Sequence, residues 1–294
     1  MPLKLYAMTG VTALAAGAAV ALSIVGGISD DAQKSLEISK TLTTTTTTTT
    51  TEATTEATTV NIINTAGLSN DKRSWYFKSN KEHKTPSVQG GIDYKKYSAY
   101  YVGDTAQKTI YLTFDEGYEN GYTSKILDVL KQKQVKAAFF VTEDYIKRNP
   151  QLIKRMYEEG HIVGNHSVRH LSSPSLSDSE FINEITQTEA AYKQLTGSDM
   201  PKVFRPPMGE YSERTLALTH NLGYKTIFWS FAYKDWLTDA QPGKTVAYNT
   251  VMEKYHNSAI LLLHAVSSSN TEALPQIIDD LRLKGYTFAT IDNL

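Results

Sequence analysis

The sequence predicts an α/β fold, a (β/α) barrel of the TIM type or an incomplete version of it. Three observations lead there. Seven or so strand-like segments alternate with helical ones from Thr109 to the last residue, which implies parallel pairing through right-handed crossovers. Runs such as Ile260–Leu263 are wholly apolar and suit strands buried on both faces. No Gly-rich phosphate loop follows the first of these strands, which weakens the alternative, a doubly wound open sheet of the nucleotide-binding kind.

The elements follow in order. In Thr109–Asp115 the residues Ile110, Leu112 and Phe114 alternate with Tyr111 and Thr113, the period of a strand. A helix is expected near Ser124–Gln134, then a buried strand over Lys136–Thr142. Pro150–Glu159 reads as a helix with Leu152, Ile153 and Met156 on one face and Gly160 as its stop. His161–His166 is a short strand. Asp178–Thr196 is a longer helix ended by Gly197. Lys202–Arg205 is a strand closed by Pro206 and Pro207. Ser212 caps a helix running to Gly223. Lys225–Phe231 is a strand, Val246–His256 a helix and Ala259–His264 an apolar strand. Glu272–Lys284 is a helix ended by Gly285, and Tyr286–Ile291 a last strand.

The N-terminal part differs in kind. Residues Ala7–Ile28 carry no charge and are rich in Ala, Val, Leu, Ile and Gly. Residues 1–29 therefore read as an export signal or a membrane anchor. Residues 30–60 include an unbroken Thr run, Thr43–Thr51, that cannot bury a core and reads as a disordered spacer. The layout of anchor, stalk and globular domain places that domain on the outer side of a membrane, held there or released to the wall. Residues 61–108 are polar and aromatic and are expected to wrap irregularly on the domain over 109–294, with Trp75, Tyr94 and their neighbours as packing groups.

Composition removes several chemistries. The formal net charge is −1, so nothing in the charge balance points to nucleic acid. There is no cysteine, which excludes disulfides, thiol nucleophiles and Cys-ligated zinc. Any metal must be held by His, Asp, Glu or water. Nothing in the sequence calls for an oligomer, and a monomer is expected.

Five strand ends carry a capable side chain: Asp115 with Glu116, His166 with His170, Arg205, Asp235 with Trp236, and His264. In a parallel barrel all C-terminal strand ends face one mouth, where such enzymes keep their chemistry. Each residue alone has a plain structural explanation. Together they describe a site. His166 and His170 are spaced to share one metal ion with a carboxylate. Asp115 then suits a general base, Arg205 its orienting partner, and His264 a general acid. The reaction class is acyl transfer to water, as in hydrolysis of an amide or ester.

The motifs Thr113-Phe-Asp-Glu-Gly117, His166-Ser-Val-Arg-His170, Arg205-Pro-Pro-Met-Gly209, Asp235-Trp236 and Leu262-Leu-His264 resemble those of the polysaccharide deacetylases with the NodB homology domain, carbohydrate esterase family 4. The resemblance covers Thr109–Leu294. It implies a distorted, incomplete (β/α) barrel that removes acetyl groups from polysaccharides with a divalent metal, commonly zinc. The Asn120-Gly-Tyr extension, Ala232-Tyr-Lys-Asp-Trp236 and His264-Ala-Val-Ser267 resemble the δ-lactam branch, which acts on N-acetylmuramic acid in the peptidoglycan of spore formers. N-acetylglucosamine or chitin-type glycans are the alternative substrates, and a silent glycan-binding module the alternative class.

Carried onto this sequence, the resemblance makes Asp115 the base, His264 the acid, and Arg205 and Asp235 the residues that tune them. His166, His170 and Glu116 become the metal ligands. Trp236, Leu262, Met208 and Tyr118 line the substrate site, Leu262 at the acetyl group. Two positions depart from the family pattern. Glu116 stands where a metal-binding Asp is usual and is longer by one methylene. Met208 stands where Tyr is usual, so only its backbone N–H could serve as an oxyanion donor.

Overall fold

The structure, a computed structural model, describes residues 61–294, so the expected leader and Thr-rich spacer lie outside the described residues. Among the described residues no helix is long and apolar enough to cross a membrane.

The N-terminal segment forms four two-residue strands, β1 (Arg73–Ser74), β2 (Phe77–Lys78), β3 (Ser87–Val88) and β4 (Ala99–Tyr100). The main domain follows: β5 (Thr109–Glu116), α1 (Thr123–Gln132), β6 (Ala138–Val141), α2 (Glu143–Arg148), α3 (Pro150–Glu158), β7 (Ile162–Asn165), α4 (Asp178–Thr196) and β8 (Val203–Phe204). Then come β9 (Glu210–Tyr211), α5 (Glu213–Asn221), β10 (Lys225–Ile227), α6 (Lys244–Lys254), β11 (Ala259–His264), α7 (Ser268–Leu283) and β12 (Thr287–Phe288).

The main sheet has the order β11-β5-β6-β7-β8-β10-β4, and β12 pairs with the start of β5. All its ladders are parallel. The two ends of this order meet through single bridges, Phe231 with Leu261 and Val102 with Ala259. The curled sheet is therefore an incomplete (β/α) barrel, as the alternation of elements predicted.

Strand parity divides the core. Ile110, Leu112 and Phe114 join the cluster between sheet and helices, with Phe139, Val141, Leu261 and Leu263. The alternate residues Ala138, Phe140, Val203, Ile227 and Ile260 pack together inside the barrel. Gly164 permits that filling, because a Cβ there would meet the Phe140 ring at 2.7 Å. Successive strand residues point to opposite faces, so above this plug Thr113, Asp115, Leu262 and His264 share the inner face.

Local signals hold where the elements begin. Ser177 and Ser212 form reciprocal capping boxes at the starts of α4 and α5, which satisfy N–H groups that a helix start leaves free. Three expectations shift. α7 begins at Ser268, capped by Ser267, and tolerates Pro275 inside it. The strand expected over 225–231 stops at Ile227. The wrap over 61–108 is not only a cover, since β4 adds an edge strand to the main sheet beside β10. Its aromatics do pack: Trp75, Tyr94 and Tyr97 are buried, and Trp75 stacks on Phe228 at 4.2 Å between centroids. Residues 61–294 fall within one compact unit.

Candidate active site

Register alone brings Asp115 and His264 together. β5 and β11 pair so that Asp115 lies opposite His264, and Leu262 lies opposite Thr113. Asn165 is aligned with Phe204 in the pairing of β7 and β8, so His166 and Arg205 leave their strands side by side. All four side chains stand at the C-terminal end of the sheet.

Arg205 is fully buried. Its Nη1 donates to Asp115 Oδ1 at 2.7 Å, and its Nε donates to the Ile227 carbonyl at 3.1 Å. The guanidinium lies over the Phe140 ring, 4.2 Å from its centroid. Burial by itself would raise the pKa of Asp115. The Arg205 charge, followed by the influence of His166 and His264, outweighs burial and holds the carboxyl below its ordinary value. Asp115 is thus ionised and oriented, with Oδ1 taken by Arg205 and Oδ2 turned elsewhere.

That oxygen lies 3.6 Å from His166 Nε2. The other ring nitrogen, Nδ1, is 2.8 Å from the Arg205 carbonyl. A carbonyl only accepts, so Nδ1 carries the proton and Nε2 presents a lone pair. Burial pushes His166 down to about 4, against the opposing charge of Asp115, so the imidazole is neutral at physiological pH. His170 is also held below its ordinary value by burial, and its ring lies 4.7 Å from that of His166. Two neutral imidazoles side by side are donors that suit a divalent cation of borderline softness.

Glu116 does not join them. It is the next residue of β5 after Asp115, so its side chain passes to the opposite face of the sheet. There it is fully buried, 3.5 Å from the Thr123 hydroxyl. Thr123 and Tyr145 both donate to Glu119. Burial and the neighbouring Glu119 push Glu116 well above the usual carboxylate range. Adjacency in sequence suggested two carboxylates at one site, whereas strand parity sends them apart. Among the described residues no group of three or more His, Asp or Glu is gathered as a complete metal centre.

His264 is held by Asp235, which is buried. Its Oδ1 is 2.7 Å from His264 Nδ1 and its Oδ2 accepts the His264 backbone N–H at 2.9 Å. Burial would lower the His264 pKa, but the hydrogen bond and charge of Asp235, then Asp115, raise it above its ordinary value. The protonated form, needed in an acid, exists below that pKa and disappears as pH rises through it. Replacing Asp235 by Asn removes the charge and lowers the pKa. We expect the alkaline limb of kcat to move to lower pH and kcat to fall about a hundredfold. A pH–rate profile checks this, and an unmoved limb would deny His264 the role of acid.

The substrate-lining expectations separate into two groups. Tyr118 and Trp236 are exposed at the mouth, and the Tyr118 hydroxyl donates to the Trp236 carbonyl at 3.3 Å. Trp236 also lies beside the acid, 5.4 Å from the His264 ring. Met208 takes a left-handed φ of 57° and carries its side chain outward. Leu262 instead is buried beneath them on the inner face.

Two supporting residues escaped the sequence reading. Asn270 donates to Asp235 Oδ2 at 2.5 Å and in turn accepts from the Tyr233 hydroxyl. Glu184, buried on α4, accepts the backbone N–H groups of Val168 and Arg169 at 2.9 and 2.8 Å, and Arg169 Nε at 2.6 Å. It fixes the loop between the two histidines. The signal, a Glu inside a helix 15 and 16 positions from the loop residues it binds, has no local pattern to reveal it. Glu184→Ala strands those donors and should cost about 2 kcal/mol of stability. Denaturant unfolding reads this, and an unshifted midpoint would remove Glu184 from the loop's support.

Residues 102–227 match the family model described as polysaccharide deacetylase. The peptidoglycan-N-acetylmuramic acid deacetylase PdaA of Bacillus subtilis is 45% identical over 77% of this chain and 87% of its own. This chain belongs to the polysaccharide deacetylase family. The solved structure of B. subtilis PdaA, a family 4 carbohydrate esterase, superposes with a TM-score of 0.75 and covers 77% of this chain and 98% of that one. A family 4 carbohydrate esterase from Bacillus anthracis, also 45% identical, covers 77% of this chain and 97% of its own with a TM-score of 0.65. A peptidoglycan-N-acetylglucosamine deacetylase of Bacillus cereus is more distant, 33% identical over 64% of this chain and 88% of its own. The deacetylase family thus contains, among relatives of this chain, proteins named for either sugar.

Proposed function

We propose that this deacetylase hydrolyses the N-acetyl group of N-acetylmuramic acid in peptidoglycan, releasing acetate and a free amine. The observation that carries the chemistry is the facing pair Asp115 and His264 across adjacent strand ends, the one held ionised beside Arg205 and the other with its pKa raised, against burial, by Asp235. The preference for muramic acid rests on the 45% identity to PdaA against 33% to the N-acetylglucosamine enzyme. In the spore cortex the freed amine would be placed to close on the lactyl carboxylate as muramic δ-lactam.

His166 and His170 would hold a divalent metal, zinc being the ion that suits imidazole donors and neutral pH. Bound there, it would supply Lewis acidity and a lowered pKa for a coordinated water. The chain's own residues do the rest. Asp115 takes the proton of the attacking water while Arg205 keeps it ionised and aimed. Attack on the acetyl carbon gives a tetrahedral adduct whose oxygen faces the Met208 backbone. As the C–N bond breaks, the His264 Nε2 proton passes to the leaving nitrogen, and Asp235 holds the ring through Nδ1. Exchange with solvent returns the proton from Asp115 and restores His264. Trp236 and Tyr118 offer stacking faces for the sugar, and Leu262 lies where the acetyl methyl would be shielded.

The substrate makes this an exported protein working at the cell wall, with residues 1–29 as leader or anchor and a monomeric catalytic domain. The test is mass spectrometry of peptide-free muramyl glycan strands and of chitooligosaccharides, each with and without EDTA. The expected result is loss of one acetyl per muramic residue, abolished by EDTA. Release from chitooligosaccharides alone would keep the chemistry and discard the substrate.

A further inference from the structure

The exposed Tyr76 and the basic strands around it are not used by the site described above. They lie at its edge. β1 pairs antiparallel with β9, Ser74 opposite Glu210 and Arg73 opposite Tyr211, and β9 begins two residues after Met208. The Trp75 N–H donates to the Gly209 carbonyl at 2.8 Å. On the His170 side, Asn70 Nδ2 donates to the Pro174 carbonyl at 3.0 Å. Residues 70–76 therefore run along the rim that carries both His170 and Met208.

Between β1 and the hairpin of β2 and β3 lies a cleft of about 530 Å³, lined by Lys72, Arg73, Tyr76, Lys78 and Gln89 among others, with no acidic residue in the lining. Lys72 is paired with Glu210 at 3.0 Å. Arg73 is anchored by a hydrogen bond from Nη1 to the Gly90 carbonyl at 3.1 Å. Among the described residues, the acidic side chains with cationic partners do not include any partner of Arg73 or Lys78. Tyr76 is 62% exposed, although its neighbours Trp75 and Phe77 pack inward. Two uncompensated cations beside an exposed aromatic face form a surface for an acidic sugar.

We propose that this cleft is a secondary glycan subsite that binds a carboxylate-bearing sugar of the strand being deacetylated, with Arg73 and Lys78 on the carboxylate and Tyr76 under the ring. This rests on the muramic acid reading, in which a carboxylate recurs along the strand. A chitin-type strand is neutral and offers these cations nothing. Charge complementarity of this kind selects partners and speeds encounter, and salt weakens it.

The test uses the full chain and compares peptide-free muramyl strands of two and of six or more sugars. The wild-type protein should prefer the longer strand through a lower KM. Lys78→Glu should erode that preference about fivefold, as should amidation of the lactyl carboxylates, and Tyr76→Ala should erode it by a factor of a few. Circular dichroism and thermal midpoints check that the variants are folded, which the exposure of Tyr76 favours. An undiminished preference in Lys78→Glu overturns the subsite. Calorimetry of Asp115→Asn with the same strands separates this from the parent reading, because it needs no turnover. If muramic residues are never deacetylated but Lys78→Glu still weakens strand binding, the parent reading falls and the subsite stands. If strand binding is equal with and without Lys78→Glu, the subsite falls. A polyol-phosphate polymer that binds more tightly than the glycan, and is lost with Lys78→Glu, would reassign the cleft to phosphodiesters and overturn the carboxylate proposal.

Discussion

Asp115→Asn is expected to reduce kcat about a thousandfold while KM for the glycan stays within a few-fold. The amide keeps the size of the carboxylate and can still accept from Arg205, but it cannot take a proton from water at neutral pH. General-base catalysis contributes about 10²- to 10⁴-fold, and a loss confined to kcat marks an interaction made only in the transition state. The measurement is acetate release under saturating strand, with calorimetric binding alongside. A glycan-binding module would give the same calorimetric trace and no acetate from the wild type either. Retained turnover in the variant would place the base elsewhere.

Arg205→Met is expected to damage both the fold and the rate. The side chain is fully enclosed and carries the largest of the charges that bring Asp115 below its ordinary pKa against its burial. Removing one member of a buried pair leaves the other uncompensated, which costs about 3–5 kcal/mol. The sign of the pH effect follows. With Arg205 present, Asp115 adds stability above the unfolded carboxyl pKa, and this is lost as pH falls through the lower folded value. Without Arg205, burial raises the folded pKa, so the stabilising window disappears and the base becomes protonated at higher pH. Denaturant unfolding at neutral pH should show the loss, and the acidic limb of kcat/KM should move upward. Arg205→Lys should not rescue it, since a point charge cannot reproduce the donors to Asp115 and the Ile227 carbonyl or the contact with Phe140. An unchanged acidic limb in a folded Arg205 variant would mean that Arg205 does not set the base.

Much of this was legible in the sequence because the deciding signals are local. The alternation in Thr109–Asp115 and the apolar run Ala259–His264 are periodic over a few residues, and both strands are where the pattern puts them. Caps and stops are local too, which is why α4 begins and ends at Asp178 and Thr196 as expected. The rule that parallel strands end at one mouth then carried Asp115, His166, Arg205, Asp235 and His264 toward a common site without any coordinates.

What the tertiary structure decided are the matters that depend on which face a residue takes and what lies across from it. Glu116 was read with Asp115 because they are neighbours in sequence, yet β5 continues through Glu116, and a strand sends neighbours to opposite sides. Glu184 and Asn270 were invisible because each supports the site from a helix far along the chain, through hydrogen bonds that no spacing encodes. The same holds for the basic cleft. Arg73, Tyr76 and Lys78 read as part of an aromatic wrap, and only the pairing of β1 with β9 brings them to the rim of the site. Sequence by itself determined the elements and the reactive side chains, since those follow from periodicity and chemical type. The choice of face and of long-range partner was left to the fold, because a two-residue period is broken or kept by pairing, and pairing is a property of strands distant in the chain.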